Sequence, residues 1–132
     1  MRVVIADDET LLREGLARLL ADAGLAVAVD ALAEEGQVGI HVGRLPQGRF
    51  PAAIETAAYT VVAEAARIAN REITVRGEER EGTLVVEVET DGDRGLDLVA
   101  LEDRLGALDG RLGVEERGNG RVVIRAELPC AS

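Results

Sequence analysis

Apolar positions divide the chain into two stretches with different rhythms. Thr10 to Ala23 places Leu12, Leu16, Leu19 and Leu20 on one helical face, and Gly24 ends it. Val3 to Ala6 before it is a short β-branched run, and Leu25 to Val29 after it reads as a second strand. Strand, helix and strand joined this tightly predict a parallel βαβ unit with a right-handed crossover. The Ala/Glu-rich stretch Asp30 to Gly36 ends in glycine, so a boundary is expected there, dividing 1–30 from 31–132.

Beyond it, Gln37 to Val42 alternates as a strand. Pro51 suits the first turn of a helix along which Ile54, Ala58, Val61, Ala65 and Ile68 recur on one face. Ile73 to Arg76 and Leu84 to Val88 read as strands joined through the charged turn Gly77 to Gly82. Leu98, Leu101, Leu105 and Leu108 form the stripe of a further helix, stopped at Gly110. Leu112 to Glu115 and Val122 to Leu128 close the list as a hairpin turning at Gly118-Asn119-Gly120. The order is βαββαββ, which predicts an α+β two-layer sandwich, and the Leu98 to Leu108 stripe is core first and partner surface second.

Length and charge narrow the options. At 132 residues the chain fits one compact domain, or one with a short appendage. It holds 15 basic residues, all arginine, against 25 acidic ones, for a net charge of -10. That argues against a nucleic-acid partner, because a phosphate-backbone binder needs a concentrated basic face. The single cysteine, Cys130, can form neither an internal disulfide nor a thiolate metal site, so a cytoplasmic setting is expected. No apolar run approaches the roughly 20 residues of a membrane helix.

Two resemblances attach to particular residues. The stretch from Pro51 to Ala65, then Leu84-Val-Val-Glu-Val, then Leu101 to Leu112, then Ala126-Glu-Leu-Pro resembles the catalytic ATPase domain of sensor histidine kinases, GHKL or Bergerat type, of the nitrate-sensor class. It covers about residue 31 to the end. Met1 to Leu20 is similar to the opening of a response-regulator receiver domain and stops near Asp30. Together they imply a Bergerat-type sandwich with an N-terminal βαβ extension.

Receiver phosphotransfer needs an acidic pair for Mg²⁺, an acceptor aspartate and a lysine to offset the phosphoryl charge. Asp7 and Asp8 match the pair, but no aspartate lies between Asp30 and Asp91 and there is no lysine. Receiver function is excluded, and the two carboxylates are better read as capping the next helix.

In the kinase family, the long helix presents a Glu that polarises the attacking hydroxyl or water, and four residues on an Asn that ligates Mg²⁺. Glu64 matches, but Ile68 stands at the Asn position, and Asn70 would point about 160° away on a regular helix. Arg71 could contact a phosphate, while Glu72, at a position usually His, would repel one. The first glycine box reads Thr90-Asp91-Gly92-Asp93-Arg94, with Thr90 at the adenine-binding Asp and Gly95 a substitute for the second glycine if the register slips. In the second, Asp97 and Ala100 replace glycines, putting negative charge where a helix start should hold phosphate. Gly118 and Gly120 resemble the late turn, with Arg121 for the usual Thr.

These departures touch the metal, adenine and phosphate contacts at once. The expectation is a non-catalytic signalling or protein-interaction module with a degenerate ATPase domain. No cofactor or metal site is expected, and the competing reading is an ATP-binding histidine kinase or ATPase domain that binds Mg-ATP through Glu64 and the residual glycine boxes. His41, on an alternating strand, should face solvent instead of accepting phosphate. Protein partners of a two-component pathway are expected, along with a homodimer formed through the uncovered N-terminal unit.

Overall fold

In the computed structural model, which describes residues 15–35, 38–92 and 96–130, five strands make one sheet and the helices cover one of its faces. The strands are β1 (Gly39–Val42), β2 (Glu72–Arg80), β3 (Thr83–Thr90), β4 (Arg111–Gly118) and β5 (Arg121–Pro129), in the spatial order β1-β2-β3-β5-β4. β1 runs parallel to β2, and the other neighbours are antiparallel. A parallel pair cannot be closed by a hairpin, and the crossover is α3 (Ala52–Ile68). With α4 (Leu98–Gly106) between β3 and β4, the order from β1 onward is the βαββαββ expected from the sequence.

The alternation along each strand sorts the two faces. Ile73, Val75, Leu84, Val86, Val88, Ile124, Ala126 and Leu128 are wholly buried and meet Ala57, Ala58, Val61, Val62 and Ala65 of α3. Leu101 and Leu105 of α4 complete that layer. The opposite face carries Glu72, Arg76, Glu87, Glu89, Arg121 and Arg125 in cross-strand ion pairs. An antiparallel sheet tolerates this because only one of its faces needs covering.

Two local expectations are corrected. Leu25 to Val29 is not a strand: α1, helical over residues 15–23, is followed after Gly24 by α2 (Leu25–Glu35). Gly24 takes φ +102, a left-handed value that costs glycine little, and its N–H closes α1 onto the Leu20 carbonyl. Leu25, Ala28, Val29 and Leu32 pack at helical spacing into the core shared with α3 and the sheet. The N-terminal βαβ extension therefore does not form as read, and the division at 30/31 falls inside α2. Its other strand, Val3 to Ala6, and the pair Asp7 and Asp8 lie outside the described residues.

The second correction is the turn from Gly77 to Gly82. β2 continues through Glu78, Glu79 and Arg80, paired residue by residue with β3, and only Glu81 and Gly82 turn, at φ 51 and 77. Two consecutive positive φ values make the tight hairpin whose twist suits the flanking strands. The charges stand on an exposed part of the sheet, and Glu78 pairs with Arg80.

The later turn is as expected, with Gly118, Asn119 and Gly120 all at positive φ. The stop after α4 also holds, although Asp109 takes the positive φ of 62 and Gly110 serves close approach. A Cβ on Gly110 would lie 2.7 Å from the Glu127 carbonyl oxygen.

Candidate functional site

α3 and α4 lie side by side on the sheet with a cleft of about 430 Å³ between them, lined by Thr60, Glu64, Arg67, Asp97, Ala100, Leu101 and Arg104. The helical period sets this out. Thr60, Glu64 and Arg67 share one face of α3, next to the buried face that carries Val61 and Ala65. Asp97 caps α4, its carboxylate accepting the Ala100 N–H at 3.0 Å, so Ala100, Leu101 and Arg104 follow at helical spacing.

The cleft thus unites Glu64 with Asp97 and Ala100, residues 33 and more positions apart, and with three that the sequence reading did not single out. Those are Thr60, Arg67 and Arg104. The available signal was the Glu64-x-x-Arg67 spacing, which places opposite charges on one helix face. Arg67 holds Glu64 at 2.9 Å, and Thr60 donates its hydroxyl to the Thr56 carbonyl at 2.8 Å. Two carboxylates and two guanidinium groups leave the cleft near neutrality.

The remaining candidates gather at one end of the sheet, outside the cleft. α3 ends at Ile68, and Ala69 is extended, so Asn70 stands in the connection to β2 and not on the helix. There its side chain donates to the Asp91 carbonyl at 3.0 Å. Asp91 closes the contact from the other side: its two carboxylate oxygens accept the Asn70 N–H at 2.9 Å and the Arg71 N–H at 3.0 Å. Arg71 is exposed, and its side chain makes no ion pair among the described residues.

Thr90 is wholly buried, and its hydroxyl donates to the Gly92 carbonyl while accepting the Gly92 N–H, at 3.0 and 3.2 Å. Gly92 is needed for close approach, since a Cβ there would lie 2.8 Å from the Ile68 carbonyl oxygen. Gly118 and Gly120 form the hairpin tip at the same end, beside the register pair of Thr90 and Val122. Asp93, Arg94 and Gly95 lie outside the described residues.

Glu72 does not face the cleft. Its neighbour Ile73 points into the core, so Glu72 stands on the open face, where His41 Nε2 and Arg121 reach it at 3.0 and 3.1 Å. The hydrogen bond from His41, then that from Arg121, holds its carboxyl below the usual range. His41 is exposed on β1, as its strand position implied.

Several described positions where the resemblance implies Mg²⁺ or triphosphate contacts hold other groups. Ile68 offers no metal ligand, Asp97 places its carboxylate at the start of α4, and the Thr90 and Asp91 oxygens already have partners. Among the described residues, no group of three His, Cys, Asp or Glu side chains is placed to hold a metal ion.

Comparison with solved structures shows the fold to be that of histidine kinase domains. The blue-light activated histidine kinase EL346 of Erythrobacter litoralis superposes with TM-score 0.66 at 19% identity, over 95% of this chain and 50% of its own. The histidine kinase AdeS of Acinetobacter baumannii does so with TM-score 0.61 at 12% identity, over 98% of this chain and 81% of its own. The isolated histidine kinase domain of EL346 gives 0.61 at 19% identity, over 87% and 61%. The chain therefore spans about half the length of the Erythrobacter kinase. No protein-family model matches the sequence, and neither does any curated protein. Among the described residues, no helix is long and apolar enough to cross a membrane.

Proposed function

We propose that this chain is a non-catalytic signalling or protein-interaction module of a two-component-type pathway, built on a degenerate histidine-kinase ATPase-like domain. Asp91 carries the reading. A carboxylate beside a glycine box would be open to a nucleotide, yet both of its oxygens are engaged by the backbone N–H groups of Asn70 and Arg71. The hydroxyl of Thr90 and the carboxylate of Asp97 are similarly engaged within the fold. A ligand using these groups would have to share or displace acceptors that already serve the protein's own N–H groups. Its partners are proteins of such a pathway, and its setting is the cytoplasm.

The competing reading is an ATP-binding domain that uses Glu64, favoured by the two arginines that share its cleft. Melting temperature followed during titration with millimolar Mg-ATP separates the two. A ligand at 100 times its dissociation constant adds about 2.7 kcal/mol, which for a chain of this size is roughly 8–10 °C. No appreciable shift is expected. A rise of several degrees that needs Mg²⁺ and is lost in Glu64→Ala would establish the ATP-binding reading instead.

A further inference from the structure

The sheet has two edges, and they are protected unequally. β1 is four residues long, and α2 packs beside it. β4 is eight residues long and exposed at seven of its positions, and among the described residues nothing pairs with its outer side. A long edge strand presents a row of unpaired N–H and C=O groups, a template for another strand. β4 also carries Val114, which is 45% exposed although its neighbours in register, such as Ile124, are buried. There is no proline along it, and the one irregularity in its pairing lies at the far end, between Glu116 and Gly118.

We propose that β4 pairs with β4 of a second copy, antiparallel about a two-fold axis at Gly113, joining the two sheets into one of ten strands. The partner is specified by the residues that would meet. In one continuous sheet, directly opposed residues must lie on the same face, so only alternate registers are open. With Gly113 on the axis, Arg111 faces Glu115 of the other copy and Leu112 faces its Val114, and symmetry forms each pair twice. Centring on Val114 sets Arg111 against Arg117, and centring on Glu115 sets Glu115 against itself. The Gly113 register alone matches opposite charges and joins apolar side chains.

The groups it needs are available. Arg111 has no ion-pair partner among the described residues, and Glu115 has only Arg117 of its own strand, at 3.7 Å. Gly113 has no atom within 4 Å of where a Cβ would stand, so a side chain introduced there has room on the open face of the sheet. The homodimer expected from the sequence rested on the N-terminal unit, and β4 supplies a separate surface for it. One pair of eight-residue strands lies at the low end of interface size, so the dimer is reversible and concentration-dependent. The proposal is independent of nucleotide binding.

Sedimentation velocity over a range of concentrations, on the full chain, gives the dissociation constant. Arg111→Glu and Glu115→Arg each place like charges opposite one another twice and should raise that constant by roughly tenfold or more. The double exchange should bring it back, which no other surface would do. In a Cys130→Ser background, Gly113→Cys should cross-link on mild oxidation, because directly opposed residues in antiparallel strands lie at disulfide distance. Val114→Cys, opposed to Leu112, should cross-link far less. A monomer at every concentration, a dimer indifferent to both reversals, or equal cross-linking at 113 and 114 would overturn the proposal. Circular dichroism of each variant separates loss of pairing from loss of fold.

Discussion

Asp91→Ala is the substitution that most directly tests whether the first glycine box has become part of the scaffold. The wild-type carboxylate accepts two backbone N–H groups, from Asn70 at 2.9 Å and Arg71 at 3.0 Å, and ties the end of β3 to the connection between α3 and β2. Hydrogen bonds to a charged group contribute about 1.5–3 kcal/mol each. Asp91 is half-buried, so water replaces part of what is lost, and the net cost should fall to about 1.5–3 kcal/mol in total. With an unfolding entropy of about 2.1 cal/mol/K per residue, that lowers the melting temperature by roughly 5–10 °C. Asp91→Asn should cost nearly as much, because its amide NH₂ would face one of the two N–H donors. Urea denaturation and thermal melting by circular dichroism measure both variants, with the exposed Glu102→Ala as a reference expected within about 0.5 kcal/mol of wild type. If Asp91→Ala were neutral or stabilising, the carboxylate would be dispensable to the fold, and a ligand role would regain its standing.

Two further outcomes are expected. Glu55 is 1% exposed at the start of α3 and is gripped by both Arg49 Nε and Nη2, at 3.1 and 3.2 Å, while Arg49 also reaches the Ala21 carbonyl at the end of α1. Arg49→Ala leaves that buried carboxylate without its cation and should lower the urea midpoint, by less than the loss of a fully buried pair would, because Arg49 is half exposed. A midpoint indistinguishable from wild type would refute the clamp. Glu72, whose folded pKa is depressed by His41 and then Arg121, contributes stability present above its unfolded value of about 4.3 and lost as the pH falls through the folded one. Glu72→Gln should therefore flatten the acid limb of stability against pH, most visibly in low salt, and parallel profiles would contradict the assignment.

The elements from β1 onward were legible because local period and tertiary environment agree there. β3 and β5 alternate, α3 and α4 repeat at three and four residues, and the Gly118-Asn119-Gly120 turn has glycine at two of its three positive φ positions. α2 was misread because Leu25-Ala-Val-Ala-Val alternates over five residues, as a strand would, while its helical spacing emerges only when Leu32 is included. The alanines and glutamates that follow are good helix formers, and reading them as a linker compounded the error. β2 ran past its expected end because strand pairing, which no local pattern displays, satisfies the backbone of Glu78 to Arg80. The Glu64 cleft was half legible: the α3 face follows from helical spacing, but its meeting with Asp97 and Arg104 depends on how two helices settle on a sheet. The destinations of the Asp91 and Thr90 oxygens were not legible at all, since each depends on a loop geometry set by the packing of Gly92 on Ile68.

That packing links the fold to the proposed loss of chemistry. A polar group reserved for a ligand must face water when the ligand is absent, so it contributes little to the stability of the empty protein. Here the corresponding groups hold the scaffold: Asp91 binds the connection between α3 and β2, Thr90 folds onto Gly92, Asp97 caps α4 and Arg67 pairs with Glu64. Each bond stabilises the empty state and by the same amount penalises a ligand that would take over either partner. On the proposed reading, the surfaces left for recognition are strand edges and helix faces. The long edge of β4, with Arg111 and Glu115 on one face and Leu112 and Val114 on the other, is one of these.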